Sequence, residues 1–173
     1  TEQEFVGNVS KLTELFRLGA TVKFADIPYT YKCYVRIVPD ITRLNHKQEY
    51  KVIFDCDAEF GTVGGVKTVT TSNALTMKVN NPGNYITPAR VVLTAREAGS
   101  SLYINGLVKN FTFTNVNVGD IIVVDGVTGE ILRNGSVDIN NFYGWNLPNL
   151  PIGDTTIKTN LRCDIEISYL ARY

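Results

Sequence analysis

The stretch DIIVVDGVTGEILRNG, residues 120–135, decides how the chain is read. The runs DIIVVD and GEILRNG meet at Asp125-Gly126 and Thr128-Gly129. Because glycine accepts positive φ at little steric cost, these pairs turn one run back on the other as an antiparallel hairpin. Outward from it the same pattern recurs. ALTMKVN (74–80), ARVVLTA (89–95), SLYINGL (101–107) and NFTFTNV (110–116) are short alternating runs bounded by Asn, Gly, Asp, Ser or Pro, and LRCDIEISYLARY (161–173) returns to a period of two. That period sends one side of each strand into a core, and turns at short intervals join neighbours. Residues 66–173 are therefore predicted to form an antiparallel β-sandwich or barrel.

One segment breaks the pattern. YGWNLPNLPIGDTTI, residues 143–157, holds the only Trp of the chain, two of its six Pro and two Gly. Two readings stand open. Tyr143 and Trp145, two residues apart, expose one face together as a platform for a sugar or a partner chain; or aromatics beside prolines form a packed corner.

Towards the N-terminus the period changes. Val9, Leu12 and Phe16, with Leu15 beside them, recur at helical spacing, Asn8 suits the N-cap and Gly19 suits the left-handed stop, so a helix is expected from about Val9 to Leu18. ATVKFAD (20–26) alternates as a half-buried strand, and Ile27-Pro28 turns the chain. YTYKCYVRIV (29–38) and EYKVIFDC (49–56) are dense in aromatic and β-branched residues, separated by the polar stretch PDITRLNHKQ (39–48), which reads as a loop. FGTVGG (60–65) loses the alternation and is the candidate linker. The expected architecture is mainly β: a small α+β domain over residues 1–62, one helix plus antiparallel strands, then the sandwich over 66–173.

Composition narrows the function. Of 173 residues, 44% are hydrophobic, ordinary for a folded globular chain. Lys plus Arg is 17 and Asp plus Glu is 17, so no net charge draws the chain to nucleic acid or to an anionic membrane. No apolar run approaches the roughly 18 residues of a membrane-spanning helix, and TEQEF lacks the features of a signal peptide. A first residue of Thr rather than Met suggests a fragment or a processed product. Cys33, Cys56 and Cys163 are odd in number, lack CxxC spacing and lie in strand patterns, so they are expected to be buried free thiols, consistent with intracellular synthesis.

Catalytic chemistry finds little footing. The single histidine, His46, stands in the polar stretch without a neighbouring Cys or His and reads as a solvated loop residue. Asp55 and Asp57 flank Cys56 on one strand face, a spacing that suits a shared cation or glycoside chemistry and is also common on solvated strand ends. Gly64-Gly65 precedes neither a helix pattern nor a Lys-Ser/Thr pair, so no phosphate loop is expected. No catalytic residue, cofactor or metal ligand is assigned.

The order of segments is more specific than any one of them. The helix, GATVKFADIPYTYKCYVRIV and EYKVIFDCDAEFG resemble the second half of the N-terminal domain of siphophage distal tail proteins, through Asp26-Ile27-Pro28, Tyr29 with Tyr31, and Phe54-Asp55-Cys56, so residues 1–62 would be a partial belt domain. GNYITPARVVLTA is similar to that family's Gly-x-x-x-x-Pro strand, LYINGL to its Ile-Asn-Gly strand, DIIVVDGVTGEI to its Val-Asp-Gly hairpin, and GWNLPNLPIGDTTI to its Gly-x-x-x-Pro-x-Leu-x-x-Gly stretch. The resemblance covers nearly all of the chain, with two departures. The strands that the family has before the helix are missing, and Asp154 stands where Asn is common.

The resemblance implies a non-enzymatic virion protein of the tail tip, made in the cytoplasm of the host bacterium or of a cell carrying the prophage. It implies a hexameric ring of the chain itself, formed by the N-terminal belt domain, with contacts to the tail tube protein and to tail-associated or receptor-binding baseplate proteins. Lys11, Glu14 and Arg17, on the polar helix face, would then meet neighbouring copies. It also implies a galectin-like C-terminal sandwich. On this reading residues 143–157 are a corner: Pro148 and Pro151 fix φ, Gly153 permits the turn, and Trp145 with Leu147 and Leu150 closes the sandwich end, so Trp145→Ala would cost roughly 3 kcal/mol or more. The alternative function is a carbohydrate-binding module for cell-wall or surface glycans. A galectin-type site would want His, Asn, Arg and Trp on one strand face, whereas only Asn146 and Asn149 accompany Trp145.

Overall fold

A computed structural model describes residues 2–44, 47–144 and 146–173, so His46 and Trp145 lie outside the described residues. The chain divides after Thr62 into two compact units.

Unit 1 opens with helix α1, Glu2–Leu15. It begins well before the expected Val9, because Phe5 extends the stripe to Phe5, Val9, Leu12 and Phe16, the half-buried positions of the segment. Asn8 is thus an interior helix residue and not the cap, and Leu15 lies off the stripe, exposed. Gly19 ends the segment as expected, at φ +87° with its N–H on the Phe16 carbonyl. Strands β1 (Ala20–Lys23), β2 (Thr30–Leu44), β3 (Lys47–Asp57) and β4 (Gly61–Thr62) follow. β2 is central, antiparallel to β1, β3 and β4.

Two further expectations are corrected in the strands of this unit. The polar stretch 39–48 is largely strand, paired from Pro39 with Val52 to Leu44 with Lys47. Alternation in sequence reports one-sided burial, which a ladder of backbone hydrogen bonds does not require. The supposed linker also begins late, since Gly61 and Thr62 pair with Tyr31 and Thr30. Aromatic edges knit the unit: Phe16 meets Phe54 at 5.6 Å and Phe24 meets Tyr31 at 6.2 Å between ring centroids. Among its described side chains the sole buried apolar one is Cys33.

Unit 2 is an antiparallel β-sandwich. Its strands are β5 (Lys67–Asn81), β6 (Thr87–Ala95), β7 (Gly99–Asn105), β8 (Phe111–Val116), β9 (Ile121–Asp125), β10 (Ile131–Arg133), β11 (Ser136–Val137), β12 (Phe142–Tyr143), β13 (Asn149–Leu150) and β14 (Gly153–Tyr169). They run in the order β11-β10-β9-β6-β14-β7-β8-β12, with β5 also on β14 and β13 also on β6. The hairpin predicted at residues 120–135 is β9–β10, Val124 opposite Ile131.

β14 belongs to both leaves. Near Lys158 it pairs with β7, and from Cys163 to Tyr169 it pairs with β6. The core lies between the leaves: Val91, Leu93, Ile122, Val124, Ile165 and Ile167 on one side, and Val79, Leu102, Ile104, Phe111, Phe113 and Ile157 on the other. β5 starts at Lys67, earlier than the run at Ala74, and its first half is Thr-rich and mostly exposed, which hid it from a search for alternation.

Candidate functional site

The geometry around Tyr143 follows from the strand beneath it. β12 pairs with the start of β8, placing Phe142 opposite Phe113 and Tyr143 opposite Thr112. Phe142 turns inward onto Phe111 and Phe113, at centroid distances of 5.6 and 5.4 Å. The next residue on a strand must face the other way, and Tyr143 is 62% exposed. Gly144 is held tightly, since a Cβ there would lie 2.9 Å from both Phe111 Cβ and Phe142 Cζ. Lys109 and Asn110 arrive just ahead of β8 and Asn146 just after Gly144. Together these six residues, Phe142 included, line an open depression of about 670 Å³.

Of the platform predicted from sequence, Tyr143 is on this surface, while Trp145 lies outside the described residues. The corner residues behave differently from a site. Leu150 is fully buried, Leu147 packs against the core, and Ala89 N–H donates to the Pro148 carbonyl at 3.0 Å. Lys109 and Asn110 were missed because they precede Tyr143 by more than thirty positions, and only the β8–β12 pairing brings them near. The turn signal before NFTFTNV marked a strand end and nothing chemical.

Elsewhere three of the candidate groups, Asp55, Glu14 and Arg17, have partners. Asp55 forms an exposed ion pair with Arg36 directly opposite it, at 3.0 Å. Such exposed pairs are worth about 0.2–1 kcal/mol. Among the described residues no group of three or more His, Cys, Asp or Glu is placed to hold a metal. The cysteines are free; Cys33 and Cys163 are buried as expected, but Cys56 is exposed because its face of β3 looks to solvent. Burial raises both inward thiols, that of Cys163 to about 11, which keeps them protonated and unreactive near neutral pH. The helix residues Glu14 and Arg17 pair with each other at 3.2 Å on an exposed face. No helix among the described residues is long and apolar enough to cross a membrane.

The fold thus defines a mainly β protein with a helix-bearing first unit, a sandwich and an open depression of mixed polarity. No family model and no curated protein matches the sequence. Among solved structures, the chain is similar to the crystal structure of the Dit protein of phage SPP1, described as a paradigm of the hub adsorption apparatus in phages that infect Gram-positive bacteria. The likeness has a TM-score of 0.69 at 15% identity and covers 100% of this chain and 73% of that one. It is a likeness of fold.

Proposed function

We propose that the chain is a structural component of a phage tail, a distal-tail hub that closes as a ring of its own copies at the tip of the tail tube. In this reading the first unit makes the ring contacts, with six copies per ring. The second, a galectin-like sandwich, projects as the adaptor for tail-associated or receptor-binding proteins. The protein then resides in the virion and performs no catalysis. The supporting observation is that the likeness to SPP1 Dit spans both units and not merely a common sandwich. A shared fold does not by itself carry function, and a physical feature of unit 1 adds weight. Val6, Leu15, Leu18, Phe24, Ile53 and Phe54 are all exposed. Contact with other chains would remove such apolar surface from water.

The test is electron microscopy together with light scattering over a wide concentration range, on the chain alone and mixed with a tail tube protein. Closed rings of six copies are expected, at high concentration or on the tube. A strict monomer under every condition, without binding to the tube, would remove the hub reading.

A further inference from the structure

We propose that the depression around Tyr143 is a binding site for a saccharide that carries a negative charge. The exposed ring of Tyr143 offers a flat π face with negative quadrupole potential, the surface onto which the axial C–H groups of a pyranose pack. Around it stand two amides and an ammonium group, from Asn110, Asn146 and Lys109. Several other asparagine amides of the sandwich are used internally: Asn141 binds Asp138, Asn149 the Leu147 carbonyl, and Asn160 the Ser101 carbonyl. Those of Asn110 and Asn146 bond to no described residue, and neither does the Tyr143 hydroxyl.

Amides both donate and accept, which is what vicinal sugar hydroxyls require. The ligand's charge follows from the lining. Lys109 forms no ion pair with a described residue, and no carboxylate is among the lining residues. A carboxylate or phosphate on the sugar would complete a charge-assisted hydrogen bond there. The inference is independent of the ring proposal, since every residue in it belongs to unit 2.

Calorimetric titration of the whole chain tests it, with three probes: a glucuronate-containing oligosaccharide, its carboxyl-reduced neutral counterpart, and a sugar phosphate. A shallow site with few polar groups is expected to bind a charged probe with Kd on the order of 1 mM. The neutral counterpart should bind at least about five-fold more weakly, with the same loss for Tyr143→Ala and for Lys109→Gln. Tyr143→Phe should retain affinity, and Tyr103→Ala, at another exposed tyrosine, should leave it unchanged. The two charged probes tell a carboxylate site from a phosphate site. Absence of binding by both, equal affinity for the neutral sugar, or full affinity in a folded Tyr143→Ala variant would each overturn the proposal.

Discussion

A Cβ at Gly126 would stand 2.2 Å from the Pro148 carbonyl oxygen and 2.9 Å from that of Ala89. Both obstacles are backbone, and both oxygens already accept hydrogen bonds, from Ala89 N–H and Gly126 N–H respectively. The hairpin turn and the proline-rich corner are therefore docked main chain to main chain. Gly126→Ala should cost about 3 kcal/mol, whereas Gly129→Ala, strained by its φ of +81° but meeting only ordinary contact, should cost about 1 kcal/mol. Urea midpoints of the two variants check the order. Asp164 illustrates a different residue-scale constraint. Its Oδ1 accepts from Arg96 Nε at 3.1 Å, from Asn73 N–H at 2.9 Å and from Ser72 Oγ at 3.0 Å. The Arg96 bond first, and then the Asn73 N–H, hold this carboxyl well below the usual carboxylate range. A depressed folded pKa contributes stability that is present above the unfolded value near pH 4 and is lost as pH falls through the folded one. The gap in Tm between the parent chain and Asp164→Asn should be widest near neutrality and shrink below about pH 4. A gap that stays constant with pH would mean that the charge contributes nothing.

At the scale of elements, β14 shows what holds the two leaves together. Its register on β5 shifts between Lys158 and Cys163, where it leaves β7 and joins β6. At that break the side chain of Asn160 replaces lost backbone rungs: its oxygen accepts from Tyr103 N–H and its amide donates to the Ser101 carbonyl, each at 2.9 Å. Asn160→Ala should lower stability by about 1–3 kcal/mol, and Asn160→Asp should recover only the accepting half, as read from denaturant midpoints. Much of this strand was legible, since Ile165, Ile167 and Tyr169 alternate inward as the period of two requires. Its continuity through the break was not, because the polar Asn160 suggests a turn until its partners on β7 are known. The same limit hid the far arms of β2 and β3 and the first half of β5, where strands form without a one-sided apolar face. It also hid half of the proposed saccharide site: Tyr143 stands out in the sequence, whereas Lys109 and Asn110 acquire meaning only from a pairing between distant strands.

The whole molecule is unevenly built. Apart from Cys33, every buried apolar side chain among the described residues belongs to unit 2. Folding must offset roughly 1–2 kcal/mol of backbone entropy per residue, chiefly by burying apolar surface. Unit 2 does this with two packed leaves, and unit 1 leans instead on aromatic edges and strand pairing. Stability should therefore be unequal along the chain, with local opening far easier before Thr62 than after it. Native-state hydrogen exchange at low concentration is expected to protect the amides of β6, β9 and β14 most strongly and those of α1 and β1 least. The concentration dependence separates two physical accounts. If copies of the chain complete unit 1, its protection rises with concentration while that of unit 2 stays level, because association stabilises only the part it covers. If protection in unit 1 is high at every concentration, backbone pairing and aromatic contacts are sufficient alone, and the proposed ring would have to be held by surface that remains exposed in the monomer.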